Sequence, residues 1–188
     1  GSDLRAETVK TRAERAGDSY RVSGHKRFIT NAPVGDFMTT LCVTGDVLSM
    51  LVVDLRSEGV TVGPPDLKMG NRVQLTADVW LDNVRVPREN LLGEVGDGLR
   101  IALAALTWGR VLVGVSGVAM AQAALDECVH FMRQRDMFGG KLSDFQYWQS
   151  RMAERATQIA MARDLCYKAA RRFDEGAHVP EPETAMAK

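Results

Sequence analysis

The sequence predicts a multidomain α and β chain: an antiparallel β-barrel or sandwich domain over residues 1–95, followed by part of an up-down four-helix bundle over residues 96–188. Up to about residue 95, short runs of alternating apolar and polar residues are separated by turn residues, which is typical of half-buried strands. From Gly96 onward, apolar residues recur at the three- and four-residue steps of a helix. Roughly six to eight short strands with no long helix between them favour antiparallel pairing.

Turn residues divide the β domain into its strands. Gly17 and the pair Gly45-Asp46 mark hairpin turns, because glycine adopts the positive φ angles that tight turns require. The pair Ser23-Gly24 is expected to interrupt a strand. The resulting strands are expected at residues 9–13, 20–22, 28–30, 38–43, 48–53, 60–62, 77–81 and 84–86.

The helical domain begins with a long apolar segment. Residues 98–132 contain no proline and predict one helix of about 50 Å at 1.5 Å per residue. Its middle is apolar almost all round, which favours a central helix packed on several sides. Gly109, Gly114 and Gly117 lower the helix propensity, so each is expected to permit a close approach of backbone or ligand. The longest uncharged stretch, residues 111–125, is shorter than the roughly 18–20 residues of a membrane-spanning helix, so no membrane span is expected.

Two further helices are predicted after this segment. Ser143 and Gln146 have the spacing of a capping box, which predicts the start of the second helix. Gly176 predicts its end, and the Pro-Glu-Pro segment at 180–182 predicts the start of a third. The apolar stripe of the second helix comprises Phe145, Trp148, Met152, Ile159, Cys166, Ala169 and Phe173. Because these helices cannot enclose their own apolar surface well, the sequence is expected to be a piece of a longer protein.

The composition argues against several classes of protein. The chain of 188 residues has 24 Lys and Arg and 24 Asp and Glu, whereas proteins that bind nucleic acids or anionic membranes rely on a basic excess. Cys42, Cys128 and Cys166 lie far apart without a C-x-x-C pair, which indicates reduced thiols in an intracellular protein. We therefore expect the cytoplasm, or an organelle matrix if the source is eukaryotic. The histidines lack the spacing of metal ligands, so no metal is expected.

Distinctive short segments follow one another along the chain. They lie at residues 1–3, 10–20, 24–31, 68–72, 84–87 with 90–93, 135–146 and 185–188. The segment GHKRFITN at 24–31 is similar to the pattern G-x-K-x-[WF]-I-T-N, and RDMFGGKLSDFQ at 135–146 is similar to R-x-x-F-G-x-x-L-x-x-x-Q. By the order and spacing of these segments, the chain resembles the acyl-CoA dehydrogenase family, from its middle β domain into its C-terminal helical domain.

The resemblance implies a flavoenzyme. Family members bind FAD, form homotetramers or sometimes dimers, and oxidise an acyl thioester between its α and β carbons. A carboxylate removes the α proton while hydride passes from the β carbon to flavin N5, and the electrons then pass to another protein such as an electron-transfer flavoprotein. The thioester carrier is CoA or an acyl carrier protein. A flavin monooxygenase or oxidase on the same scaffold, or an inactive fragment, stays open as an alternative.

The resemblance assigns flavin contacts to residues that have simpler explanations when read alone. Residues 28–30 alone form a β-branched and aromatic strand suited to a core, and Arg135 alone belongs to a solvated charge cluster with Arg133 and Asp136. In the family, the hydroxyl lies near flavin N5, the aromatic ring covers the flavin and the arginine contacts the FAD diphosphate. The flavin contacts implied here are Ser2, Phe28, Ile29, Thr30, Arg135, Phe138 and Gln146.

The resemblance also implies thioester contacts, at Ser2, Thr107 and Arg110. Many family members carry an acid where Thr107 stands, which keeps an acyl carrier protein open as the carrier. Some members place their catalytic glutamate where Gly109 stands, but glycine has no side chain and cannot take a proton. The catalytic base is therefore expected beyond Lys188, or absent.

Overall fold

The structure, a computed structural model, describes residues 4–176 and 181–188. The chain divides into two compact units, residues 1–103 and 104–188. Among the described residues, the first unit contains seven strands: β1 (Arg12–Ala16), β2 (Ser19–Thr30), β3 (Phe37–Thr44), β4 (Val47–Asp54), β5 (Val60–Val62), β6 (Thr76–Pro87) and β7 (Leu91–Leu92). They form one sheet in the order β5-β6-β2-β1-β3-β4-β7.

The sheet is almost entirely antiparallel. Among the described strands, neighbours run antiparallel except β1 and β3, which pair in parallel through Arg12 and Val43. The predicted β domain is therefore confirmed, with one parallel contact added. Alternate side chains of the strands face inward, and those of β2, β3, β4 and β6 form one hydrophobic cluster. Each buried valine or leucine of this cluster contributes about 1.5–3 kcal/mol relative to an exposed one.

The expected interruption at Ser23 and Gly24 is wrong, because β2 runs through both residues. A Cβ atom at Gly24 would lie 2.6 Å from Thr11 Oγ1, so glycine here lets a neighbouring segment pass close to the strand. The register between β2 and β6 also shifts between Val22 and Gly24. Ser23 thus lies opposite both Asp82 and Asn83, so the extra residue of this bulge is on β6. Gly24 marks a close contact within a continuous strand.

The second unit is helical, as predicted. The chain forms α1 (Gly98–Gln134), a short hairpin of β8 (Asp136–Met137) and β9 (Gly140–Lys141), α2 (Gln146–Asp174) and α3 (Glu181–Ala187). Gly176 follows α2 with a φ of +80°, and its N–H donates to the Phe173 carbonyl at 3.0 Å. This confirms the expected glycine at the end of the second helix.

Little of α1 is buried within its own unit, contrary to the expectation of a helix packed on several sides. In the described part of the helical unit, α1 buries the side chains of Thr107, Val111 and Met132. Its large exposed apolar residues include Leu106, Leu112, Val113, Val115, Met120 and Phe131. By length and composition alone, α1 is also long and apolar enough to cross a membrane. The uncharged stretch at residues 111–125 was too short to predict this. Core helices of large proteins share this property.

The expectation of a close approach at three glycines of α1 holds at one of them. A Cβ atom at Gly114 would lie 2.5 Å from the Ala187 carbonyl oxygen of α3 and 3.1 Å from Cys166 Sγ of α2. Apart from the adjacent residues and the surrounding backbone of α1 itself, no described protein atom lies within 4 Å of a Cβ built at Gly109 or Gly117. Glycine is therefore required by packing at Gly114, where three helices meet, and protein packing does not require it at the other two.

Candidate functional site

β2 ends in a bulge that presents two of the residues predicted to contact flavin. The register between β2 and β6 shifts between Lys26 and Ile29, so that Arg27 and Phe28 lie opposite the single residue Asp78. Phe28 has a φ of +58°, a left-handed conformation that costs a residue with a side chain about 1–2 kcal/mol. Backbone strain of this kind is concentrated at functional sites in proteins.

Phe28 and Thr30 line one open pocket of about 650 Å³. The Phe28 side chain is 65% exposed, and Thr30 is exposed as well. The other lining residues are Asp66, Leu67, Lys68, Gly70, Asn71, Gln74 and Thr76. An exposed ring beside an exposed hydroxyl suits flavin, because a ring can cover the apolar face of the isoalloxazine and a hydroxyl can donate to a ring nitrogen.

The loop before β6 forms the other wall of this pocket and is braced by its own hydrogen bonds. Lys68 Nζ donates to the Gln74 carbonyl and, at 3.2 Å, to Thr76 Oγ1. Asn71 Nδ2 donates to Gln74 Oε1 at 2.6 Å, and Arg72 Nε donates to the Lys68 carbonyl at 2.9 Å. The sequence segment at 68–72 marked this loop, but sequence reasoning assigned it no place in the site.

Two predicted flavin residues are not part of this pocket as described. The Ile29 side chain packs against the hydrophobic cluster of the sheet and does not line the pocket. Ser2 lies outside the described residues.

The remaining predicted flavin residues lie at the β8–β9 hairpin of the helical unit. Arg135 is exposed, and its backbone N–H donates to the Phe131 carbonyl at 2.9 Å. Phe138 has a φ of +50° and an 88% exposed side chain, and its ring lies 6.3 Å from that of Phe145 in an edge-to-face arrangement. Gln146 is exposed at the start of α2. An exposed guanidinium suits the oxygens of a diphosphate.

The hairpin is closed by an ion pair. Lys141 Nζ lies 2.5 Å from Asp136 Oδ1. The hydrogen bond from Lys141, its charge and the charge of Arg135 hold the pKa of Asp136 below its usual value. The ionised Asp136 carboxylate therefore neutralises the charge of Lys141 within the hairpin.

The predicted capping box at Ser143 and Gln146 is wrong. Ser143 lies inside a short 3₁₀ helix, Leu142–Asp144, and α2 begins only at Gln146. The Asp144 carboxylate accepts a hydrogen bond from the Lys141 backbone N–H at 2.8 Å. This contact caps the 3₁₀ helix, whereas α2 begins after Phe145 without a side-chain cap. The Gln146 side chain therefore has no capping role to share with a cofactor contact.

The predicted thioester residues lie on α1 in the helical unit. Thr107 is 1% exposed, and Arg110 is half-buried. Between them, the Trp108 ring packs edge-to-face on Phe173 of α2 at 4.7 Å. Gly109 has open space around its Cβ position. A side chain at this position would therefore not collide with any described residue.

Family comparisons agree with the observed fold. The family model described as "Acyl-CoA dehydrogenase, middle domain" matches residues 1–84, and "Acyl-CoA dehydrogenase, C-terminal domain" matches residues 96–188. The chain belongs to the acyl-CoA dehydrogenase family.

Similar proteins cover the chain almost completely. Cyclohexane-1-carbonyl-CoA dehydrogenase of Geobacter metallireducens is 37% identical over 94% of this chain and 47% of its own length. The caffeyl-CoA reductase-Etf complex subunit CarC of Acetobacterium woodii is 37% identical over 100% of this chain and 50% of its own length. The structure of an acyl-CoA dehydrogenase from Geobacillus kaustophilus superposes with a TM-score of 0.91 at 34% identity, over 100% of this chain and 50% of that one. The chain thus spans about half the length of the curated relatives it matches.

Proposed function

We propose that this chain supplies the middle and C-terminal parts of an FAD-dependent enzyme that oxidises an acyl thioester between its α and β carbons. The observation that carries the proposal is the pocket at the end of β2, where the Phe28 ring and the Thr30 hydroxyl are both exposed. These residues belong to the segment that is similar to G-x-K-x-[WF]-I-T-N, inside the region matched by the middle-domain family model. Relatives named as acyl-CoA dehydrogenases or reductases support the substrate class.

FAD, when bound, supplies the acceptor for a hydride from the β carbon. In the β unit, the Phe28 ring would cover the flavin and the Thr30 hydroxyl would donate a hydrogen bond to it. In the helical unit, Arg135 would hold an FAD diphosphate, and Phe138 and Gln146 would contact its adenine and diphosphate region. Ser2 and Arg110 bind the thioester, and Ser2 also contacts the flavin. Thr107 is buried and Ile29 packs against the hydrophobic cluster of the sheet, so neither is proposed as a direct contact.

The α proton requires a base that this sequence does not supply at the expected position. Gly109 cannot accept a proton, and its surroundings are open. We therefore propose that a carboxylate outside this sequence takes the proton. The thioester carrier is CoA or an acyl carrier protein.

The electron acceptor is proposed to be an electron-transfer flavoprotein, as the Etf complex of the Acetobacterium relative suggests. We also propose a homotetramer or dimer. The exposed apolar residues of α1 support further helices or further copies of the chain against it. The free thiols Cys42, Cys128 and Cys166 support a reducing compartment, the cytoplasm or an organelle matrix.

The central experiment measures flavin reduction by substrate. The full-length protein that contains this chain is expected to carry FAD when purified, and a saturated acyl-CoA is expected to bleach its visible absorption under anaerobic conditions with formation of the α,β-unsaturated thioester. Reoxidation is expected to require a dye or an electron-transfer protein. Rapid turnover with oxygen alone, with peroxide or a hydroxylated product, would instead assign an oxidase or monooxygenase. A protein that binds no flavin would remove the proposal.

Arg135→Ala tests the diphosphate contact. The loss of a charge-assisted hydrogen bond is expected to raise the FAD dissociation constant by roughly tenfold or more. Arg133→Ala is the matched control, since Arg133 is also exposed and lies two residues earlier. Equal FAD affinity in the Arg135 variant and the unchanged protein would take Arg135 out of the site.

A further inference from the structure

Asp78 contacts the bulge of β2 from the neighbouring strand. Its Oδ1 accepts a hydrogen bond from the Phe28 N–H at 3.3 Å. Its Oδ2 lies 2.8 Å from His25 Nε2 and 3.4 Å from Arg27 Nε. A bulge takes a residue out of the regular ladder of backbone hydrogen bonds, and the carboxylate supplies an acceptor for the amide of that residue.

Asp78 acts as an ionised group in these contacts. Partial desolvation raises its pKa, but the hydrogen bonds from His25 and Phe28 and the charge of Arg27 outweigh that effect and lower the pKa. The carboxylate is therefore ionised near neutral pH. Hydrogen bonds to an ionised acceptor are stronger than those between neutral groups.

An aromatic stack orients the imidazole that faces Asp78. The His25 ring lies on the Trp80 ring with centroids 4.9 Å apart and planes within 3° of parallel. The Trp80 ring lies close to Gly63, which follows β5: a Cβ atom built there would be 3.0 Å from its Cζ3 atom. Trp80 therefore limits the rotation of His25, and His25 in turn limits the rotation of the Asp78 carboxylate.

We propose that Asp78 is a positioning residue for flavin binding. Its carboxylate holds the Phe28 backbone in the left-handed conformation, and this conformation keeps the Phe28 ring and the Thr30 hydroxyl in the lining of the pocket. The proposal rests on the proposed function, because it assumes that this pocket takes flavin. Asp78 is not among the described residues that line the pocket, so it acts through the Phe28 amide. The Phe28 side chain is 65% exposed, and the Arg27 guanidinium lies 4.8 Å from the centroid of its ring.

The same strand offers a matched control. Asp82 lies four residues after Asp78 on β6 and is exposed. Residues four apart on a strand point to the same face of the sheet. Asp82→Ala therefore makes the same chemical change on the same face, at the separate irregularity opposite Ser23 and away from the bulge at Phe28.

The test compares Asp78→Ala, Asp78→Asn and Asp82→Ala in the FAD-loaded protein. It measures the FAD dissociation constant, the hydrogen exchange rate of the Phe28 amide and the melting temperature. Asp78→Ala is expected to weaken FAD binding about tenfold or more and to speed exchange at Phe28. Asp78→Asn is expected to show a smaller change in both, because it keeps an acceptor oxygen and loses the charge. Asp82→Ala is expected to change neither.

Several results would overturn the positioning role. These are FAD binding by Asp78→Ala as tight as in the unchanged protein, an unaltered exchange rate at Phe28, or an equal loss in Asp82→Ala. If Asp78→Ala does not fold, unaltered FAD binding and Phe28 exchange in Asp78→Asn overturn it instead. Absence of FAD binding in the unchanged protein and in Asp82→Ala is a different failure, since it overturns the proposed function and the positioning role with it.

Discussion

The two units of the chain differ in how they bury apolar surface. In the β unit, Val22, Leu51, Val53 and Val79 are completely buried in one cluster. In the helical unit, α1 leaves a row of large apolar side chains exposed, and α2 buries Ile159, Cys166 and Ala169 among its described residues. Burial of apolar area is the main stabilising term in folding. The β unit therefore contains its own stabilising core, whereas the helical unit presents apolar surface for something else to cover.

Thiol labelling is expected to show the largest difference between the units. Cys42 is buried in the β unit, and burial raises its pKa to about 11, so little reactive thiolate exists near pH 8. Cys128 is exposed on α1. Labelling with iodoacetamide, followed by mass spectrometry, is expected to modify Cys128 at least about a thousandfold faster, because Cys42 also requires opening of the core. Comparable rates would mean that the β unit opens readily and that the contrast is wrong.

Leucine truncations compare the two units directly. Leu51→Ala is expected to lower the free energy of unfolding by about 2–5 kcal/mol, because it leaves a cavity in the core. Leu112→Ala on α1 is expected to cost far less, since that side chain is 55% exposed. Urea unfolding measures both, and Leu67→Ala, in a fully exposed position, is the reference. An equally large loss at Leu112 would show that another surface covers α1 in solution.

Two glycines test packing inside the helical unit. Gly114→Ala is expected to destabilise the protein by about 1–3 kcal/mol, because the new methyl group would meet the Ala187 carbonyl at 2.5 Å. Gly109→Ala has open space and is expected to stabilise the helix by up to about 1 kcal/mol. Thermal unfolding followed by helical circular dichroism separates the two signs. Destabilisation by both would indicate that a neighbouring surface also packs on Gly109.

A pair of threonines separates function from stability within the β unit. Thr30→Val is expected to slow flavin reduction by up to about tenfold while leaving acyl-CoA affinity and stability nearly unchanged, because it removes an exposed hydroxyl. Thr40→Val is expected to raise stability by about 1 kcal/mol, because the Thr40 hydroxyl is buried with no hydrogen-bond partner among the described residues. Stopped-flow reduction and urea unfolding provide the measurements. Equal loss of reduction rate and acyl binding in Thr30→Val would indicate misfolding rather than a flavin contact.

Local signals in the sequence predicted much of this fold. The hairpin turns at Gly17 and Gly45 and the helix end at Gly176 are where the sequence places them. These features depend on a few adjacent residues, because glycine adopts a positive φ at little cost whatever structure surrounds it. Phe28 and Thr30 differ: local patterns alone favoured a core strand there, and only the resemblance of residues 24–31 to a family segment implied a flavin contact.

Features that depend on partners distant in sequence were not predicted. Gly24 was read as a strand end because its contact is with Thr11 on another segment. The capping box predicted at Ser143 and Gln146 is absent because residues Leu142–Asp144 form a separate 3₁₀ helix and α2 begins only at Gln146. The support of Phe28 by Asp78, fifty residues later, had no signal in either segment alone.

The sequence by itself determined the strands and helices, the change of period near Gly96 and the membership of the acyl-CoA dehydrogenase family, since all of these are read from short-range patterns and from the order of segments. Tertiary structure alone decided the register of β2 against β6, the left-handed conformation of Phe28 and the exposure of α1. The physical reason is that register and burial depend on which distant residues meet, and a carboxylate on one strand supports a bulge only when the neighbouring strand brings that bulge opposite it.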